Sequence, residues 1–348
     1  MDACLLPWCA LKCTRHSVSV CCFAGADGPV TRGLPITNVE SLWAIWNSPA
    51  LQTMRQTMAK TGYHPACSSR SDFTCPEVMT SASSIRIASP EQLRNRRSIE
   101  RNFQQRSVTV DCYPAYIQVI LDYKCNLDCG HCFQFTGRHS NVDYSLNIAR
   151  MPDFDEFMAH VDTLDLIGGE ATLLQSYDEI IARTANLSHM RLSLTTNGQF
   201  LETKVIPYLD RFYNLIISVD SATGEGYAKM RPSPSGNFDF DRLCTQLEIL
   251  RQAKRGKNIN TNATFVVCGE NYQELPLFVD LAAMYEIDQI NLIEVLPLDY
   301  FWLSSNKQSR LMLHKNDLPR LEDLIAETKE RARELGVRVY AATPSLPN

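Results

Sequence analysis

Three cysteines in one short stretch offer the clearest chemistry in this sequence. Cys125, Cys129 and Cys132 are spaced C-x3-C-x2-C. Cysteine thiolates are the usual ligands of 4Fe–4S clusters, and four of them complete a closed cluster. Three thiolates leave one iron with an open position, and an open position distinguishes catalytic metal sites from structural ones. The spacing therefore predicts a cluster that can bind a further ligand.

A zinc site is the alternative interpretation of these cysteines, with His131 or a distant residue as the fourth ligand. Zinc sites usually draw their ligands from two C-x2–4-C pairs. No comparable second pair follows nearby, so the pattern favours an iron–sulfur cluster over zinc.

The cysteines directly follow the first of six short apolar runs that alternate with amphipathic stretches. The predicted strands are 116–121, 163–167, 190–195, 215–219, 262–267 and 289–295. The predicted helices between them are 153–161, 177–185, 201–212, 240–254 and 273–285. Strands separated by helices indicate an α/β fold with a parallel sheet, open or partly closed into a barrel. Active sites of such sheets lie at the carboxyl ends of the strands.

Short polar motifs stand at the ends of the later strands. They are Gly168-Gly169-Glu170, Thr195-Thr196-Asn197-Gly198 and Ser218-Val219-Asp220, with Arg231 further on. Together with the cysteines they resemble the radical S-adenosylmethionine (radical SAM) superfamily, whose signature is C-x3-C-x-Φ-C with Φ commonly aromatic. His131 stands at Φ, and the resemblance covers residues 116 to 295. It implies a partial (β/α)6 TIM-like barrel.

The resemblance also implies the chemistry and the roles of these residues. The open iron of the 4Fe–4S cluster chelates S-adenosylmethionine. One-electron reduction, from a donor such as flavodoxin or ferredoxin, then splits its C–S bond and yields a 5′-deoxyadenosyl radical that removes hydrogen from a substrate. The implied catalytic ligands are Cys125, Cys129 and Cys132. The implied cofactor contacts are His131, Gly168, Gly169, Glu170, Thr196, Asn197, Ser218, Asp220 and Arg231.

The amino-terminal cysteines form a second constellation. Cys4 begins a C-x2-P-W motif, Cys21-Cys22 follow, residues 41–48 read S-L-W-A-I-W-N-S, and Cys67 and Cys75 come last. This order resembles a SPASM or Twitch module, which implies an auxiliary 4Fe–4S cluster on Cys4, Cys21, Cys67 and Cys75. Cys22 is a rival to Cys21, and Cys9 or Cys13 could supply a ligand. The module here precedes the barrel, and Arg70 stands where a closing cysteine is usual. A degenerate module with free thiols or zinc is the alternative.

Composition excludes several classes of protein. The net charge of −5 provides no basic face for nucleic acid. No apolar run approaches the ~20 residues of a membrane span, and the start lacks the basic region of a signal peptide. We therefore expect a cytoplasmic protein with no membrane or nucleic-acid partner. Its 13 cysteines are expected to be metal ligands or free thiols rather than disulfides.

These observations predict four segments. They are a small cysteine-rich module (1–80), a linker with some helix (81–112), the radical SAM core (113–300) and a carboxyl-terminal helix and strand packing on the core (301–348). Three functions are compatible with them. The first is modification of a peptide or protein side chain, the second is oxidation or epimerisation of a small molecule, and the third is a non-catalytic iron–sulfur partner protein.

Overall fold

The computed structural model describes residues 4–20, 30–31, 35–61, 89–132, 134, 139–294 and 311–341. Its strands, in chain order, are β1 (Ala10–Cys13), β2 (Ser17–Ser19), β3 (Val30–Thr31), β4 (Tyr116–Ile120), β5 (Thr163–Ile167), β6 (Arg191–Thr196), β7 (Phe212–Ser218), β8 (Asn260–Val267), β9 (Gln289–Glu294) and β10 (Arg338–Ala341). Its α-helices are α1 (Leu6–Cys9), α2 (Leu42–Trp46), α3 (Pro49–Thr61), α4 (Pro90–Gln104), α5 (Phe154–Met158), α6 (Gln175–Arg183), α7 (Gly224–Met230), α8 (Phe240–Ala253), α9 (Leu275–Met284) and α10 (Leu318–Leu335). Most of the strand pairs are parallel, which confirms the predicted α/β class.

The chain divides into two compact units that are interleaved along the sequence. The first unit comprises Met1–Asp122, Tyr144–Gly168 and Leu174–Leu192. Its strands β3, β2, β1, β4 and β5 are neighbours in that order. β1 runs parallel to β4, with Ala10 beside Tyr116, and β4 runs parallel to β5. The β1–β2 and β2–β3 pairs of this unit are antiparallel.

The second unit comprises Tyr123–Asp143, Gly169–Leu173 and Ser193–Asn348. Its strands β7, β8, β9 and β10 are neighbours in that order and are all parallel. One face of β7, β8 and β9 carries fully buried apolar side chains such as Leu215, Phe265 and Ile290. Because strand side chains alternate between faces, the opposite face carries polar side chains such as Asn214 and Asn262.

The six predicted strands are all present, with ends that differ by up to three residues from the predicted ones. The helical spacing of Leu42, Ile45 and Trp46 predicts a single helix over 39–58, with Asn38 as its cap, but the structure has two helices there. α2 ends at Trp46 and α3 begins at Pro49, where proline lacks the N–H that a continuous helix requires. The predicted cap Asn38 is also wrong, since the Ser41 hydroxyl accepts the hydrogen bond from the Ala44 backbone N–H at 3.0 Å.

The predicted helix over 201–212 is also wrong as an α-helix. Residues Leu201–Val205 form a wide π-type turn, and Ile206–Arg211 form a 3₁₀ segment that loses helical geometry at Tyr208. Pro207 accounts for this break, because it cannot donate to the preceding turn.

The amino-terminal segment is built into the first unit by two buried tryptophans. Trp8 donates its indole N–H to the Ser107 carbonyl at 2.8 Å, and Trp46 donates to the Cys112 carbonyl at 2.7 Å. Both rings are fully buried and belong to the core. Among the helices that the structure describes, none has the length and apolar character needed to cross a membrane.

Candidate active site

The loop that follows β4, defined here as the cysteine loop (residues 123–132), carries the three predicted ligands. Cys129 is buried, whereas Cys125 and Cys132 are half-buried. A turn joins the last two, because the Cys132 backbone N–H donates to the Cys129 carbonyl at 3.2 Å. Burial raises the pKa of the Cys129 thiol to about 12. Binding of a metal at this sulfur would release its proton.

Two backbone hydrogen bonds fix the cysteine loop. The Glu170 N–H donates to the Lys124 carbonyl at 2.8 Å, and the Asp128 N–H donates to the Pro232 carbonyl at 2.8 Å. Gly169 makes the first bond possible, because a Cβ at this position would lie 2.1 Å from the Lys124 carbonyl oxygen. The resemblance implies that Gly169 contacts the cofactor, and in the structure this glycine permits close approach of the chain's own backbone.

Gly168, which belongs to the first unit, likewise allows two backbone segments to approach each other closely. A Cβ on it would lie 2.7 Å from the Asp122 carbonyl oxygen, closer than real Cβ contacts come. The paired glycines are therefore explained by backbone packing.

Glu170 is fully buried and uses its carboxylate inside the protein. One oxygen accepts from the Thr172 hydroxyl at 2.6 Å, the Thr172 N–H at 3.2 Å and the Thr196 hydroxyl at 2.8 Å. The other accepts from the Asn197 N–H at 2.6 Å. Burial raises the pKa of this carboxyl above its ordinary value, although the four donors lower it. Glu170 thus joins the glycine pair to the turn after β6.

The turn after β6 is also tied to the cysteine loop. The Asn197 side-chain amide donates to the Asn126 side-chain oxygen at 2.7 Å and lies 4.0 Å from the Cys125 sulfur. Gly198 has a φ of +79°, a left-handed conformation that glycine adopts without strain. The predicted T-N-G motif therefore reaches the site through Thr196 and Asn197.

A buried ionic group lies at the end of β7. Asp220 accepts from the His131 Nε2 at 2.9 Å and pairs with the Arg231 guanidinium at 2.5 Å. Burial raises the pKa of Asp220, but the charges of Arg231 and His131 outweigh burial and hold it well below its usual range. Ser218 lies two residues earlier and is half-buried beside Thr264 of β8. The side chains of His131 and Arg231 are thus hydrogen-bond partners of the Asp220 carboxylate in this structure.

Sequence analysis missed Asn126, whose amide contacts are at the centre of this site. Its position directly after the first cysteine of the motif was the only available signal. Of the four cysteines predicted to bind an auxiliary cluster, one lies within the described residues. Cys4 is half-buried before α1, while Cys21, Cys67 and Cys75 lie outside the described residues.

Two buried donors around the cysteine loop suit a ligand that accepts hydrogen bonds. Asn126 Nδ2 and Arg231 Nε lack a partner among the residues described, as does the buried His131 Nδ1. Within the same residues, no three His, Cys, Asp or Glu side chains are grouped closely enough for one metal ion. A cluster spreads its ligands over several irons, so three thiolates can bind it from further apart. The residues present therefore fit a 4Fe–4S cluster better than a single zinc ion.

Comparison with known proteins identifies the domain that holds these groups. The family model described as the Radical SAM superfamily matches residues 119–282. These residues form a radical SAM domain. The match includes the cysteine loop, Glu170, Asn197, Asp220 and Arg231.

Curated relatives share the region around the radical SAM domain. An S-adenosylmethionine-dependent nucleotide dehydratase of Fibrobacter sp. (strain UWH6) is 27% identical over 183 residues, covering 50% of this chain and 54% of that protein. A probable GTP 3′,8-cyclase of Saccharolobus islandicus (strain Y.N.15.51 / Yellowstone #2) is 25% identical over 240 residues, covering 66% of this chain and 71% of that protein. The chain thus spans about half the length of the dehydratase.

Solved structures share the fold of the radical SAM domain. SuiB of Streptococcus suis bound to S-adenosylmethionine has a TM-score of 0.52 and 16% identity, covering 87% of this chain and 65% of that chain. Native anSMEcpe with bound AdoMet has a TM-score of 0.51 and 18% identity, covering 66% of this chain and 64% of that chain. At these identities the likeness concerns the fold alone.

Proposed function

We propose that this chain is a radical SAM enzyme whose cluster is held by Cys125, Cys129 and Cys132. The observation that carries the proposal is the cysteine loop itself, which presents three thiols beside unpartnered buried donors within a radical SAM domain. When bound, the cluster and S-adenosylmethionine supply one-electron cleavage of a C–S bond and removal of a hydrogen atom from substrate.

The chain's own residues hold this chemistry in place. The Lys124 and Asp128 backbone bonds fix the direction of the cysteine loop, and Glu170 locks the adjoining turn at Thr196 and Asn197. Cys129 is buried, so solvent is kept from one ligand. Contact of His131, Gly168, Gly169, Glu170, Thr196, Asn197, Ser218, Asp220 or Arg231 with the cofactor remains a proposal. A contact of Glu170 with the cofactor would have to use a carboxylate lone pair that accepts none of the four hydrogen bonds described above.

Iron counting tests the assignment directly. Anaerobic reconstitution should give about eight irons per chain if an auxiliary cluster is also present, and about four if it is not. The variant with Cys125, Cys129 and Cys132 all changed to Ala should lose about four irons and make no 5′-deoxyadenosine after dithionite reduction with S-adenosylmethionine. Retained cleavage would refute the assignment.

Cys244→Ala provides the matched control for this variant. Cys244 is half-buried on α8 and belongs to none of the cysteine motifs. Its replacement should leave both the iron count and the cleavage unchanged. Wild-type protein that holds its irons but never forms 5′-deoxyadenosine would instead favour the non-catalytic partner protein.

The auxiliary cluster is a second part of the proposal, with Cys4, Cys21, Cys67 and Cys75 as its ligands. Its support is the order of the amino-terminal motifs. Changing all four cysteines to Ala should lower the count from about eight irons to about four. An unchanged count would eliminate this cluster.

For the substrate we propose a peptide or protein side chain. SuiB, which shares the fold, has also been solved bound to the precursor peptide SuiA. The names of the curated relatives support a nucleotide as the second candidate, a small molecule like those of the alternative hypothesis. Deuterium appearing in 5′-deoxyadenosine from uniformly deuterated GTP would favour the nucleotide. Its appearance from a deuterated peptide encoded beside the gene would favour the peptide.

A further inference from the structure

Asp220 has a backbone conformation that few residues adopt. Its φ is +60°, in the left-handed region, and its side chain is fully buried. This conformation is unfavourable for non-glycine residues, and Asp and Asn tolerate it best. Such strain persists when the surroundings determine the position, and it occurs often at functional sites.

Four contacts determine the position of Asp220. One carboxylate oxygen accepts from the Val266 N–H of β8 at 2.7 Å, and the Asp220 carbonyl accepts from the Asn271 side chain at 2.9 Å. The other carboxylate oxygen accepts from His131 and from Arg231. The carboxylate is therefore anchored on a strand and presents its second oxygen to two nitrogen donors.

Arg231 reaches from Asp220 to the cysteine loop. Its Nη2 is on the Asp220 carboxylate, while its Nη1 is 3.9 Å from the Cys129 sulfur. The Arg231 side chain is 8% exposed, so both interactions are shielded from water. A planar guanidinium can bridge a carboxylate and a second acceptor in this way.

We propose that the Arg231 guanidinium, held between Asp220 and the Cys129 sulfur, makes the cluster easier to reduce, and that the negative charge of the Asp220 carboxylate partly opposes this effect. The inference rests on the proposed function, because it requires a cluster on Cys129. Reduction adds negative charge to the cluster. A nearby cation favours the reduced state and a nearby anion opposes it, and net charge and hydrogen bonds to sulfur are known determinants of cluster potentials.

Substitution of the two residues should shift the reduction potential of the cluster in opposite directions. Arg231→Gln removes the cation and leaves the Asp220 carboxylate, so the cluster should become harder to reduce. Asp220→Asn removes the anion and leaves the guanidinium, so the cluster should become easier to reduce. We expect a change of about tenfold in each reduction equilibrium, which for one electron is about 59 mV. The double variant should return towards the wild-type potential.

Asp220→Asn is chosen because asparagine tolerates the left-handed backbone. Its side-chain oxygen can still accept from the Arg231 guanidinium, while its NH₂ group replaces the oxygen that accepts from the Val266 N–H. Asp210→Asn is the matched control, because Asp210 forms an exposed ion pair with Lys257 at 2.6 Å in the same unit. It removes the same charge from the surface and should leave the potential unchanged.

The readout is an EPR-monitored redox titration of the reconstituted full chain without S-adenosylmethionine, with iron counted for each variant. Shifts of opposite sign at full iron content are the expected result. Shifts of the same sign, or no shift, would overturn the inference. If Asp220→Asn does not fold, Arg231→Gln alone still decides, since an unchanged potential would contradict the proposal. Wild-type protein with no iron on the cysteine loop would refute the proposed function instead.

Discussion

At the scale of single residues, Glu170 shows how the site is held without any ligand. Its two oxygens accept from four donors contributed by Thr172, Thr196 and Asn197, all within a fully buried pocket. A buried carboxylate is costly unless it is hydrogen-bonded in this way. Glu170 therefore fixes both the turn after β6 and the backbone next to the cysteine loop.

Glu170→Gln should destabilise the protein. The glutamine oxygen can replace one carboxylate oxygen, but its NH₂ group would then face the Asn197 N–H, and two donors would oppose each other. We expect a loss of about 1–3 kcal/mol in the free energy of unfolding, typical of a buried unsatisfied group. Urea denaturation of wild type and variant measures it. An unchanged unfolding midpoint would contradict this account of the carboxylate.

At this scale the sequence predicted the residue types but not their partners. The cysteine spacing and the motifs at the strand ends identified Glu170, Asn197, Asp220 and Arg231 as members of one site. Their mutual contacts could not be predicted, because they depend on strand register and on a left-handed residue at position 220. Asp has no sequence signal that distinguishes this conformation from an ordinary strand end.

At the scale of elements, an ion pair ties α6 to the short turn Ile148–Arg150. The Arg150 guanidinium makes two contacts with Glu179, at 2.9 and 2.5 Å, and the Asn147 amide donates to the same carboxylate at 2.8 Å. These hydrogen bonds lower the pKa of Glu179 to about 2. The pair therefore joins two elements of the first unit.

This pair should make stability depend on pH. The folded pKa of Glu179 is about 2, below the unfolded value of ~4.3. The stabilisation is therefore complete above the unfolded value and is lost as the pH falls towards about 2. Glu179→Gln should be less stable than wild type at neutral pH. The difference in stability should shrink as the pH falls from about 5 to about 2. Thermal unfolding across this range checks it, and a pH-independent difference would count against the pair.

Most elements of the core could be predicted, because the apolar runs of its strands and the stretches with helical spacing are long. α4 was expected only as some helix in a linker, yet Ser89-Pro90-Glu91-Gln92 forms a complete capping box at its start. That motif is a recognisable signal for a helix amino terminus. β1, β2 and β3 were missed, because they have two to four residues each and a mixed composition.

At the scale of the whole molecule, Arg55 joins parts of the chain that are distant in sequence. It is fully buried and donates to the carbonyls of Pro7, Trp46 and Val108, and its guanidinium lies 4.2 Å from the centre of the Trp46 ring. Burial lowers its pKa to about 10, so it remains charged at neutral pH. The amino-terminal segment is therefore structurally part of the first unit.

Arg55→Met should destabilise this unit strongly, because it fills similar space but leaves three carbonyls without their donor. Hydrogen bonds from a charged donor contribute about 1.5–3 kcal/mol each, so we expect a loss of about 3 kcal/mol or more. Lys60→Met on the same helix is the control, since Lys60 is exposed near its end. Equal stability of the two variants would show that Arg55 is dispensable.

The interleaving of the two units restricts how recombination can act on the gene. The chain passes from one unit to the other five times. No single stretch of the gene encodes either unit, so neither can be excised, duplicated or exchanged by one recombination event.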